Sequence, residues 1–175
     1  TEDRYGNIWF AQHVIDKIGI YDPHNDNLIE IPVPTEVSYV QFITTDNENN
    51  IWIATKTNGL FKYDEASDKL IPFINKKDNP DFDFDFRAIG IDKQGNLWLG
   101  TYSGVYILKD KKISQAVFEN TVDDKNFSKI KCIYLDKKGS VWVVTYYNGV
   151  NLWDETNSNF TNLTESRSKN VLSYN

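Results

Sequence analysis

One phrase returns four times along this chain of 175 residues: an Asp, then Gly or Asn, then a Trp between aliphatic residues, a small residue, Thr and a further Gly. Its cleanest copy starts at Asp92 and passes through Gly95, Trp98, Gly100 and Thr101 to Gly104 and Val105. Close copies run from Asp46 through Trp52 and Gly59 to Leu60, and from Asp136 through Trp142 and Gly149 to Val150. A shorter copy opens the chain, from Asp3 to Ala11 around Trp9. The tryptophans follow one another at intervals of 43, 46 and 44 residues. A period in the forties built from short strands is the signature of a β-propeller, with one four-stranded blade per repeat. The spacing predicts an all-β chain of about four antiparallel blades, approximately residues 1–44, 45–90, 91–134 and 135–175, forming a single propeller segment over 1–175.

Each later repeat divides into four strands, A to D. The second reads as residues 37–43, 51–55, 59–63 and 69–74, the third as 86–91, 97–101, 105–108 and 113–118, and the fourth as 130–135, 141–145, 150–153 and 160–163. Gaps rich in Gly, Asn, Asp and Ser separate them, as hairpin meanders require. The Asp closing strand A (Asp46, Asp92, Asp136) is expected to accept backbone N–H groups in the A–B turn. Gly95, Gly139 and Asn50 are expected at positive φ there, while Gly59, Gly104 and Gly149 permit the B–C turn. On strand B, Trp98 and Gly100 face one side and Leu97, Leu99 and Thr101 the other. Both sides are largely apolar, which suits a sheet held between two neighbours. Trp9, Trp52, Trp98 and Trp142 then act as wedges, each removing on the order of 150–250 Å² from water.

The first residues read as an A–B turn and residues 169–174 read as a further strand A, so the order is B-C-D-A four times over. Either that last strand closes a four-bladed ring, or the blades are an arc of a larger one. The irregular first repeat, with ten residues from Trp9 to Gly19, favours the arc. Open sheet faces at its ends predict self-association of the segment.

The pattern Asp-x-x-Gly-x-[Ile/Leu]-Trp-[Ile/Leu]-[Gly/Ala]-Thr-x-x-Gly-[Leu/Val] resembles the two-component regulator propeller repeat. Asp92 to Val105 matches it nearly residue for residue, with one residue fewer before Gly104. Asp46 to Leu60 and Asp136 to Val150 match closely, and Asp3 to Ala11 in part. The resemblance implies seven-bladed propellers in the periplasmic sensor region of bacterial hybrid two-component systems, ahead of a membrane helix and a histidine kinase. It also implies that this segment is not itself an enzyme and that it recognises an oligosaccharide.

Chemistry elsewhere is sparse. The net charge of −6, without any block of five basic residues, argues against a nucleic-acid partner. No run of 18 apolar residues exists, so the segment is not expected to insert into a membrane. Cys132 is the single cysteine and reads as a small buried hydrophobe. His13 and His24 stand eleven residues apart without the spacing of metal ligands, and neither metal nor cofactor is expected. The run from Asp78 to Asp85 alternates carboxylates with phenylalanines. It reads as a cation site or carboxylate pair, or as a D–A connection whose Phe82, Phe84 and Phe86 lean on the blade.

Propeller geometry puts the B–C and D–A loops at one end. That nominates Lys56, Asn58, Tyr102, Tyr146, Tyr147 and Asn148 as ligand contacts, with Arg87 after the acidic run, where it pairs with an anionic ligand or with Asp83 or Asp85. Tyr and Asn at such a mouth suit a neutral or acidic sugar, and tyrosine-rich loops also suit a protein interface. Three functions follow: a ligand sensor, a carbohydrate-active lyase or glycosidase on a propeller, or an interaction scaffold.

Overall fold

The computed structural model describes residues 1–109, 112–118 and 129–163, which contain strands and turns and no helix. Contacts divide the chain into two compact units, Thr1–Ile89 and Gly90–Asn175.

The first unit holds two antiparallel meanders. One is three-stranded, β1 (Ile8–Gln12), β2 (Lys17–Asp22) and β3 (Asn27–Pro32). The other is four-stranded, β4 (Val40–Thr45), β5 (Ile51–Thr55), β6 (Leu60–Asp64) and β7 (Lys69–Ile74). β8 (Phe86–Ile91) crosses the boundary and is the outermost strand of the sheet that continues with β9 (Leu97–Thr101), β10 (Val105–Lys109) and β11 (Lys112–Phe118). The last meander is β12 (Ile130–Leu135), β13 (Val141–Thr145), β14 (Val150–Asp154) and β15 (Asn159–Asn162). Within the second unit these two meanders merge, because β11 and β15 pair in parallel at Val117–Asn159 and Phe118–Phe160. The rings of Phe118 and Phe160 stack there at 4.7 Å.

The indoles lock sheet to sheet inside each unit. Trp9 packs with Ile18, Ile20 and Ile31 of its own meander onto Ile51, Ile53 and Phe61 of the next. Its ring stands edge-on to Tyr63 at 4.8 Å. In the second unit Trp98 stands edge-on to Trp153 at 5.1 Å. Tyr63 and Trp153 occupy the same place, fourth in β6 and fourth in β14. The small residue after the Trp has a steric reason at Gly100, where an added Cβ would lie 2.6 Å from the Ile130 side chain. Trp52 is buried against Phe73, whereas Trp142 is only half-buried.

Several expectations are corrected. Strand A of the second repeat begins at Val40, since Val37 and Tyr39 have φ of 55° and 50°, which no strand ladder accommodates. The positive-φ counterpart of Gly95 and Gly139 is Asn49 (φ 64°), not Asn50. Gly19 lies within β2, and its missing Cβ makes room for the Phe10 ring, 2.2 Å from where that atom would stand. Cys132 is exposed. A register shift between Ile130 and Cys132 breaks the alternation of β12 and turns Lys131 and Cys132 outward together. Residues 169–174, read as a further strand A, lie outside the described residues.

Candidate functional site

At the A–B end of each meander one carboxylate organises the turn. Oδ1 of Asp92 accepts the N–H groups of Gln94 and Asn96 at 3.0 and 2.8 Å, while Oδ2 accepts Asn96 Nδ2 and the indole Nε1 of Trp98, both at 2.9 Å. Asp3 and Asp46 repeat the arrangement with Asn7 and Trp9, and with Asn50 and Trp52, each indole bond being 2.8 Å. Asp136 has Ser140 in place of Asn and bonds Trp142 at 3.0 Å. Burial pushes the Asp3 and Asp46 carboxyls up, but the indole, amide and backbone donors outweigh it and hold both below the usual range. At Asp136 the Trp142 indole and the Ser140 N–H lead, bringing the group down to about 2. The phrase is a clasp. Its Asp and Trp were visible in the sequence as separate roles; the bond six residues apart that joins them, and the part of Asn7, Asn50 and Asn96, were not.

The B–C ends share a bracket and differ within it. Thr55, Thr101 and Thr145 close strand B with backbone N–H bonds to Gly59, Gly104 and Gly149. The Thr55 and Thr101 hydroxyls donate to the same carbonyls, at 2.8 and 3.1 Å. Two or three residues stand between, and they vary.

In the first unit the nominated residues are engaged internally. Asn58 Nδ2 donates to the Glu36 carbonyl and the Ser38 hydroxyl, both at 3.0 Å. Lys56 is exposed, with its backbone N–H on Ser38. Arg87 donates to Asp85 of its own connection at 2.7 Å. That connection carries the Phe82, Phe84 and Phe86 cluster, with Phe84 and Phe86 buried. Among the described residues no three of His, Cys, Asp or Glu gather as a metal would need.

The second unit brings its nominated tyrosines together. Tyr102, Tyr146 and Tyr147 are 43%, 54% and 62% exposed. Between them stands Lys129, its Nζ 4.5 Å from the Tyr102 ring centre and 5.8 Å from that of Tyr147. The Lys129 carbonyl accepts the Tyr146 N–H at 3.0 Å, so the lysine is tied to the loop it serves. Asn148 supports that loop through its backbone: its N–H bonds the Thr145 hydroxyl and its carbonyl accepts from Asn151 and Asn162. Lys129 lies just before strand A, outside the repeated phrase. The only signal for it was positional, since Tyr39 fills the equivalent place and touches the His13 ring at 5.3 Å.

A polar cavity of about 520 Å³ opens at the opposite, A–B end of the first unit, lined by Arg4, Asn49, Lys62, Tyr63 and Glu65 among others. Its charges are largely self-satisfied, with Arg4 paired to Glu65 at 2.7 Å.

Tandem antiparallel meanders, four-stranded after the first, each clasped by Asp and Trp at one end and three of them bracketed by Thr and Gly at the other, define a β-propeller repeat protein. The profile of the two component regulator propeller family matches residues 85–103 and 124–147, and the chain carries repeats of that family. Histidine kinase P4 of Formosa agariphila is 44% identical over 137 residues, which is 78% of this chain and 10% of that protein. The extracellular domain of a hybrid two component system from B. thetaiotaomicron shares the fold at a TM-score of 0.68, with 20% identity over 86% of this chain and 20% of that one. Virginiamycin B lyase from Staphylococcus aureus shares it at 0.75, with 17% identity over 93% of this chain and 53% of that one. The chain thus spans about a tenth of its curated relative.

Proposed function

We propose that this chain is a non-catalytic, ligand-sensing segment of an extracytoplasmic two-component sensor, periplasmic in a bacterium with two membranes, and that it takes an oligosaccharide bearing an acidic group. Identity to a histidine kinase supports the sensor assignment, and the Lys129 cluster carries the ligand. The ammonium lies against two tyrosine rings, and no carboxylate pairs with it among the described residues. In a chain of net charge −6, that leaves a local cation at an aromatic surface. A pyranose ring stacks on Tyr147 or Tyr146 through its C–H face, while a uronate or sulfate meets Lys129. Binding transmits a signal only through a difference in affinity between two states of the whole receptor.

Calorimetry of the segment against neutral, uronate-containing and sulfated oligosaccharides tests this. Heat with an acidic sugar is expected, weakening as salt rises and lost in Lys129→Gln. Heat with neutral sugars alone would remove the acidic ligand. Turnover of any of these sugars, followed by chromatography of the products, would replace sensing with catalysis.

A further inference from the structure

We infer that Asn151 and Asn162 are positioning residues of the ligand site: their buried amides hold the loop Tyr146-Tyr147-Asn148 in the shape that sets its rings beside Lys129. The inference rests on the ligand reading proposed above, and its test separates the two.

The two asparagines face one another across β14 and β15 and are 0% and 9% exposed. Nδ2 of Asn162 donates to Oδ1 of Asn151 at 2.8 Å and to the Asn148 carbonyl. Nδ2 of Asn151 lies 3.3 to 3.4 Å from the carbonyls of Val143, Asn148 and Gly149. The carbonyl that ends the tyrosine loop thus collects two buried amide donors, one from strand C and one from strand D. At its other end the loop is tied to Lys129, whose carbonyl accepts the Tyr146 N–H.

The fold does not itself require amides here. In the second repeat the same two places, second in strand C and opposite it in strand D, hold Phe61 and Pro72. The loop above them is fastened differently, by Asn58 to the Glu36 carbonyl and the Ser38 hydroxyl. The third repeat, which supplies Tyr102, has Tyr106 and Gln115 in these places, and Gln115 Nε2 reaches the Ser103 carbonyl of that loop at 3.5 Å. Of the three bracketed loops, the two that bring a tyrosine to Lys129 therefore have a strand-D amide directed at a loop carbonyl, and the other has none. Burying an amide is costly unless its hydrogen bonds are made. Here they are made to the loop, which is thereby ordered before a ligand arrives and loses less freedom on binding.

Amide hydrogen exchange and calorimetry against a uronate-containing oligosaccharide test the inference on the 175-residue chain. The variants are Asn162→Leu and the pair Asn151→Leu with Asn162→Leu, which removes both amides together. Should the pair lose its circular dichroism, Asn162→Leu alone decides. Exchange of the Tyr146 and Asn148 N–H groups is expected to quicken about tenfold or more while the amides of β12 and β13 stay as protected as before. Affinity for the oligosaccharide is expected to fall about tenfold or more with it. Asn162→Gln keeps a strand-D amide, as Gln115 does in the third repeat, and is expected to bind close to the parent chain. Loop exchange unchanged in Asn162→Leu, a loosened loop with unchanged affinity, or Asn162→Gln behaving as Asn162→Leu would each overturn the inference. A parent chain that gives no heat with any acidic sugar overturns the ligand reading instead, and exchange at Tyr146 and Asn148 still decides whether the amides hold the loop.

Discussion

The two ends of strand B have been treated differently by the sequence. At the A–B end all four repeats carry the same carboxylate bonded to the same indole, at 2.8 to 3.0 Å, and the third side chain of the clasp changes only once, to Ser140 where the other repeats have Asn. At the B–C end the Thr–Gly bracket persists, yet it encloses Lys56, Thr57 and Asn58 in one repeat and Tyr146, Tyr147 and Asn148 in another. A structural requirement common to every blade repeats in every blade. A ligand or partner meets each loop in a different place and asks something different of it. Repetition therefore marks scaffold, and departure from it marks the surface where recognition is to be sought.

If that division holds, the largest effect belongs to the clasp. Asp92 is 6% exposed and accepts four hydrogen bonds. Asp92→Ala strands the Trp98 indole and the Asn96 amide, and is expected to cost about 3–5 kcal/mol in urea denaturation. Asp136→Ala, at a more exposed turn with fewer donors, is expected to cost clearly less in the same measurement. Equal costs would mean that burial contributes nothing to the clasp.

The bracket comes next. Gly59 has φ of 110°, and a Cβ there would stand 1.9 Å from the Ile74 carbonyl oxygen. Gly59→Ala is expected to cost about 3 kcal/mol, since the neighbouring backbone must move. A loss below 1 kcal/mol would show that the bracket yields and that only the loop inside it is fixed.

Acid should weaken the clasps at the A–B end. The carboxyls of Asp3, Asp46 and Asp136 titrate below their usual 3.8 in the folded chain, with Asp136 at about 2. Groups depressed by folding stabilise above their unfolded pKa, so the contribution is complete above about pH 4 and drains away as pH falls toward 2. The urea midpoint is expected to drop across that window, and Asp136→Asn should flatten the drop. A midpoint independent of pH between 4 and 2 would sink the clasp as an electrostatic device.

How much of this was legible follows the same division. The strand-B and strand-D spans at 51–55, 69–74 and 97–101 were readable because Trp-centred aliphatic runs between turn residues leave few alternatives. What escaped was what period alone does not encode. The bulges at Val40–Phe42 and Ile130–Cys132 shift one residue against the ladder, and a lone Lys-Cys pair gives no warning of them. The exchange of Asn49 for Asn50 arose because two adjacent asparagines fit the same motif, and only the backbone separates the one that turns from the one that bonds Asp46. At the B–C end the tyrosines were nominated from loop position, yet Lys129 was not, since it belongs to no repeat. Asn58 and Arg87 were nominated by chemistry that their own neighbours already use.

A milder test separates turn conformation from contact. Gly95 has φ of 85° with nothing within 4 Å of a Cβ placed on it, and Asn49 occupies the equivalent place at φ 64°. Gly95→Asn is therefore expected to cost under about 1 kcal/mol, and Gly95→Ala somewhat more. Equal losses would mean that the amide side chain gives no help in the left-handed region.

The smallest effect on stability belongs at the other end, and it is the one that carries function. Tyr147 is 62% exposed, and its ring touches Tyr146 and the Lys129 ammonium. Truncation to Ala leaves Asn148 and its bonds to Thr145, Asn151 and Asn162 in place, because those run through the backbone. The urea midpoint should move by less than about 0.5 kcal/mol equivalent, as for surface sites away from buried networks. Affinity for an acidic oligosaccharide should fall about tenfold or more once a stacking platform is lost. Should Tyr147→Ala instead destabilise the chain as Asp92→Ala does, the B–C loops would be scaffold as well, and the contrast between the two ends of strand B would fail.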